Sequence, residues 1–176
     1  MLTQIINGQT LTPQGWLKDG SVLISDGKIL EVTNSDLAVI GAKVVDAKGM
    51  YIVPGFVAMN VHGGGGHDFK ECTEEAFHSA IAAHMKHGAT TLFPTLSSSP
   101  KELICKAVSI CEKLMAEKDG PVLGLHVEGP YLNTKMAGNL YDVKDPDEEE
   151  YRSILESTNC IKRWDASPEL PGAHDF

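Results

Sequence analysis

A break in the hydrophobic rhythm at Pro54-Gly55 constrains this chain more than any other feature. Before it, short β-prone runs alternate with turns. Val22-Leu23-Ile24-Ser25, Asp26-Gly27 and Lys28-Ile29-Leu30-Glu31-Val32 together predict a hairpin, because Asp-Gly supplies the positive φ angles of a two-residue turn. Lys43-Val44-Val45-Asp46 and Tyr51-Ile52-Val53 are further strand candidates around the turn Ala47-Lys48-Gly49, so a small antiparallel sheet is expected. After the break, strand and helix patterns alternate. Phe56 to Val61 is a strand, and Thr73 to His87 a helix with Glu74 and Glu75 at its positive end. Ala89 to Phe93 is the next strand. Ser99-Pro100-Lys101-Glu102 predicts a serine-capped helix with proline at its first position. Ile104, Ala107, Val108, Cys111 and Met115 then form its apolar stripe. Pro121 to Val127 is a buried strand. Asp145-Pro146-Asp147-Glu148 opens a third helix, and Ile161 to Trp164 is a fourth strand. The expected class is α/β, with a small β subdomain over 1–52 and parallel βα units over 53–176. These units do not close a barrel of eight strands; they form either a small open sheet or part of a larger barrel.

Charge narrows the partners. The formal net charge is −9 and the pI about 5.2, which argues against nucleic-acid binding through clustered Lys and Arg. The four cysteines include no C-x-x-C pair and read as reduced thiols. The N-terminus has no signal-peptide pattern, and no run approaches the ~18 apolar residues of a membrane span, so a cytoplasmic protein without membrane partners is expected.

Chemistry in parallel α/β folds concentrates where strands end. The first strand ends in Asn60-Val61-His62, whose alternation puts Asn60 and His62 on one face. His62 can offer an imidazole nitrogen to a metal. The following Gly63-Gly64-Gly65-Gly66 fits no phosphate loop, since no Lys-Ser/Thr follows. The third strand ends in His126-Val127-Glu128-Gly129-Pro130. A carboxylate beside a buried apolar strand needs a cation or strong donors, which makes Glu128 the leading candidate ligand. His67, His78, His84 and His87 form no chelating pair with a carboxylate and read as surface or packing residues.

Together these strings resemble the amidohydrolase superfamily. Asp26-Gly27-Lys28-Ile29, Asp46-Ala47-Lys48-Gly49 and Val53-Pro54-Gly55-Phe56 look like the superfamily's entry into its barrel. Val61-His62-Gly63-Gly64-Gly65-Gly66-His67-Asp68-Phe69, Phe93-Pro94-Thr95, Gly124-Leu125-His126-Val127-Glu128-Gly129-Pro130-Tyr131-Leu132 and Ala166-Ser167-Pro168-Glu169-Leu170 resemble the N-acetylglucosamine-6-phosphate deacetylase family. The resemblance implies the first half of a TIM-like (β/α)8 metal-dependent hydrolase barrel behind an incomplete β sandwich. It implies a divalent cofactor (zinc, iron or manganese), hydrolysis of an amino-sugar phosphate by activated water, and a homo-oligomer for the full-length protein. Glu128 takes the family's metal-ligand position and His62 the second position of a strand-one pair. Asn60 replaces the first histidine of that pair and, with Asn139, is assigned to substrate contact. The family draws two further metal-binding histidines and a catalytic aspartate from later strands, so no catalytic residue is assigned here and the segment alone is expected to be inactive. The alternatives are a dihydroorotase- or hydantoinase-like amidohydrolase, disfavoured by Asn60, and a non-catalytic remnant.

Overall fold

A computed structural model of the chain describes residues 1–34 and 38–176. The chain divides into two compact units, Met1–Pro54 and Gly55–Phe176.

In the first unit, β1 (Leu2–Thr12) is the spine. It pairs antiparallel with β2 (Gly15–Ser25), which pairs antiparallel with β3 (Lys28–Thr33). Asp26 and Gly27 close this hairpin at φ 50° and 77°, both in the left-handed region that the Asp-Gly signal requires. The sheet is mixed rather than antiparallel throughout. β4 (Lys43–Asp46) and β5 (Tyr51–Ile52) both run parallel to β1. Between them the turn at Ala47-Lys48-Gly49 shifts the chain without reversing it. Lys48 N–H donates to the Asp46 carboxylate at 2.9 Å, and Gly49 N–H to the Asn7 carbonyl at 2.6 Å. β1 follows the same step, with an irregularity in pairing between Ile5 and Gly8 and Asn7 at φ 57°. The interior is thin. Gln4 and Ser21 are buried beside Val22 and satisfy each other at 3.0 Å, as buried polar groups must.

In the second unit, four parallel strands lie in the order β11-β10-β9-β6. They are β6 (Phe56–Val61), β9 (Ala89–Ser97), β10 (Leu125–Glu128) and β11 (Ile161–Asp165). A small hairpin, β7 (Gly63–Gly64) with β8 (His67–Asp68), follows β6. The helices α1 (Glu74–Met85), α2 (Lys101–Met115) and α3 (Glu148–Ser157) connect successive strands of the parallel sheet. Thr73 caps α1 by accepting from Ala76 N–H, and Asp147 caps α3 by accepting from Glu150 N–H. α2 departs from expectation. Pro100 itself holds the cap position with extended ψ, and the Ser99 hydroxyl donates back to the Ser97 carbonyl at 2.7 Å. The third strand is also shorter than its apolar run. Val122 makes a bridge to Leu92, but Gly124 lies so close to Lys162 that a Cβ would collide, and regular pairing starts at Leu125.

The core joins Phe69, Phe77 and Ile81 to Ile104, Ala107 and Cys111 and to Leu92, Leu96, Leu125 and Val127 of the sheet. Each fully buried Leu, Ile or Phe contributes about 1.5–3 kcal/mol, so this layer holds the strand ends in place. The fold is α/β, with a mixed sheet in one unit and a parallel sheet in the other. Among the described residues no helix is long and apolar enough to cross a membrane.

Candidate functional site

Parallel pairing brings the C-terminal ends of β6, β9, β10 and β11 to one edge. Val61 is paired with Pro94, His126 with Thr95, and Glu128 with both Ser97 and Asp165. His62, just past β6, places its Nε2 3.0 Å from Glu128 Oε2. His62 is 43% exposed and Glu128 24%, yet Oε2 itself is closed to solvent and receives no aligned hydrogen bond. The two atoms are therefore at ion-pair distance without hydrogen-bond alignment.

Beneath them lies His126, fully buried. Its Nδ1 is 3.1 Å from the Thr95 hydroxyl and its Nε2 is 3.1 Å from Asp165 Oδ2. Burial pushes the His126 pKa below the usual histidine range, while the Asp165 carboxylate pulls it upward. Thr95 also accepts the Val61 N–H at 3.0 Å, so one buried hydroxyl ties β6 to β10. Asp165 is gripped from outside by Arg163, whose Nε and Nη2 donate at 3.0 and 3.2 Å. The loop after Glu128 is pinned by Trp164, whose Nε1 donates to the Gly129 carbonyl at 2.8 Å and whose ring stacks on Tyr131 at 5.7 Å.

The glycine run serves the backbone. Gly63 packs so tightly on β8 that a Cβ would sit 2.1 Å from the His67 carbonyl oxygen, and Gly65 and Gly66 turn the hairpin at φ 61° and 89°. His84 reaches the Gly63 carbonyl through Nε2 at 2.9 Å, and His67 pairs with Glu71 at 3.1 Å. Asn60 is exposed at the end of β6, and Asn139 is exposed on the loop after β10. Among the described residues no hydrogen bond ties either to the His62–Glu128 pair. Sequence reasoning missed Thr95 and Asp165. Asp165 had a legible signal, since it closes the fourth strand where Glu128 closes the third.

Does this donor set suit a divalent ion? Two ligands about 2.1 Å from one tetrahedral ion stand about 3.4 Å apart. The 3.0 Å between His62 Nε2 and Glu128 Oε2 differs by a few tenths of an ångström. A buried carboxylate oxygen without a donor beside an imidazole nitrogen fits two of the ligands. Among the described residues no group of three His, Cys, Asp or Glu side chains is arranged to hold a metal, so a third ligand is not supplied.

No family model matches the chain. It is 32% identical over 137 residues to an N-acetylglucosamine-6-phosphate deacetylase of Haemophilus influenzae, covering 76% of this chain and 35% of the relative. The human enzyme of that name is 30% identical over 138 residues, covering 74% of this chain and 32% of the relative. The chain thus spans about a third of the length of these relatives. A solved N-acetylglucosamine-6-phosphate deacetylase of Pasteurella multocida shares the fold at a TM-score of 0.91 with 22% identity, over 99% of this chain and 47% of that one. A mutant N-acetyl-D-glucosamine-6-phosphate deacetylase of Mycobacterium smegmatis, solved in complex with N-acetyl-D-glucosamine-6-phosphate, matches at 0.85 with 28% identity, over 98% of this chain and 45% of that one. In sequence and in fold, the chain corresponds to the N-terminal portion of these deacetylases.

Proposed function

We propose that this chain, the counterpart of the N-terminal portion of N-acetylglucosamine-6-phosphate deacetylases, supplies the first half of a (β/α)8 barrel and one side of its metal site. The observation that carries the proposal is the donor-free Glu128 Oε2 facing His62 Nε2 at the mouth of a parallel sheet. Catalysis in parallel barrels is built from strand ends of this kind. The substrate is N-acetylglucosamine 6-phosphate, and the products are glucosamine 6-phosphate and acetate. Glu128 and His62 would hold a divalent ion (zinc, iron or manganese), which when bound supplies Lewis-acid activation of water.

The chain's own residues do the rest of what this half can do. Glu128 brings negative charge that favours the cation. His62 brings an imidazole nitrogen on the exposed side. Asn60, on the same edge, and Asn139, on the following loop, offer amide groups to a sugar hydroxyl or phosphate. The proton transfers of the reaction fall to groups beyond the described pair. The four relatives compared above are deacetylases by name, so the dihydroorotase-type alternative is not favoured.

The test is a chimera joining residues 1–176 to the remaining portion of the Haemophilus influenzae relative. Acetate release from N-acetylglucosamine 6-phosphate is followed with added zinc against a zinc-only blank. Turnover that disappears with Glu128→Gln supports the proposal. A folded chimera without turnover, or turnover untouched by Glu128→Gln, contradicts it.

A further inference from the structure

The pairing of β6 with β9 is irregular between Ala58 and Val61, and Val61 faces Pro94 across the gap. Proline has no N–H, so β9 offers no backbone donor to β6 at that position. At the same irregularity the Val61 N–H donates to a side chain, the Thr95 hydroxyl, at 3.0 Å. One residue on, the His62 carbonyl accepts from Phe69 N–H at 2.8 Å. The backbone carrying His62 is therefore fixed by two hydrogen bonds, and one of them depends on Thr95.

Thr95 has one proton and two acceptors within reach, the Phe93 carbonyl at 3.1 Å and His126 Nδ1 at 3.1 Å. His126 decides between them. A neutral ring carries a single N–H, and a carboxylate oxygen lies 3.1 Å from Nε2. The proton belongs on Nε2, facing that charge, which leaves Nδ1 as an acceptor. The Thr95 proton then points to Nδ1 and its lone pair to Val61 N–H. The bonds run in one direction, from Val61 N–H to Thr95 to His126, and the buried Nε2 stands at ion-pair distance from Asp165 without an aligned hydrogen bond. Each of the four parallel strands contributes one member.

From this arrangement we infer that Thr95 and His126 are positioning residues that set His62 against Glu128. The inference rests on the reading of His62 and Glu128 as metal-facing groups, but the network is measurable without any metal. Neither Thr95 nor His126 touches the ion in this account. They act on the β6 backbone, and through it on the imidazole that meets Glu128.

The experiment uses the 176-residue chain in two measurements. The first is amide hydrogen exchange of Val61 in zinc-free protein, normalised to the Leu114 amide of α2, which reports global opening. The second is zinc affinity by calorimetry. Thr95→Val removes the hydroxyl and Thr95→Ser restores it. His126→Leu removes Nδ1, whereas His126→Asn places an amide near the same point. Thr95→Val and His126→Leu are expected to speed Val61 exchange relative to Leu114 and to weaken zinc binding by about 10-fold or more, the usual effect of losing an outer hydrogen-bond partner. The Ser and Asn variants are expected to recover both readouts. Unchanged Val61 exchange in Thr95→Val overturns the inference. Zinc binding lost in Glu128→Gln but intact in Thr95→Val and His126→Leu overturns the positioning role alone. Zinc binding unaffected by Glu128→Gln overturns the site reading and the positioning role with it.

Discussion

His62 and Glu128 are 66 residues apart in the chain, yet Nε2 of the first stands 3.0 Å from Oε2 of the second. The contact exists because β6 and β10 flank β9 in one parallel sheet and end at the same edge. His62 follows β6 and Glu128 ends β10, and the preceding side chains, Val61 and Val127, are locked in the core.

The pair also sets a limit on activity. A catalytic divalent site uses about three protein ligands plus an open position for water, and two donors meet here. The purified 176-residue chain is therefore expected to release no acetate from N-acetylglucosamine 6-phosphate above a metal-only blank, with zinc, iron or manganese. Multiple turnover by a homogeneous preparation would show that this segment assembles its ligands in another way.

Tyr131 predicts an alkaline weakness. It is fully buried, its hydroxyl donates to Glu150 at 2.9 Å, and both burial and that carboxylate push its pKa well above the ordinary value of 10.0. The folded state thus favours the neutral phenol. Its contribution is fully present below pH 10 and is lost as pH rises beyond the unfolded value, where the unfolded chain releases the proton and the folded one keeps it. Urea midpoints at pH 8 and at about pH 11 should fall further apart in the wild type than in Tyr131→Phe. An equal fall in both would remove Tyr131 as the cause.

Phe77 tests the helix layer beneath the strand ends. It is fully buried and meets Phe69 edge-on at 4.8 Å. Phe77→Ala should cost about 3–5 kcal/mol, read from urea unfolding. Thr73→Ala, which removes only the α1 cap, should cost about 1 kcal/mol. A reversal of that order would mean that the cap, not the core, holds α1 in place.

Legibility in the sequence followed how local each determinant is. Thr73 and Asp147 announce their helices because a cap acts within three residues, and Asp26-Gly27 announces its hairpin for the same reason. Ser99 misled because Pro100 took the cap position and turned the serine toward Ser97. β1 escaped naming, and the parallel direction of β4 and β5 was unreadable, because both are fixed by pairing between segments tens of residues apart. Glu128 and His62 were legible as polar groups at strand ends. Thr95 was not, since its hydroxyl meets Val61 N–H and His126 Nδ1 only through pairing of three strands far apart in the chain, and Asp165 was overlooked although it ends its strand as Glu128 does.

The proposed site requires His62 and Glu128 to bind one divalent ion. Crystals of the chain soaked in zinc, with diffraction measured on both sides of the zinc absorption edge, test it most directly. The account predicts an anomalous peak about 2.0–2.2 Å from both His62 Nε2 and Glu128 Oε2, absent in Glu128→Gln crystals. Zinc held elsewhere with this pair unliganded, or a peak that survives Glu128→Gln, would contradict it.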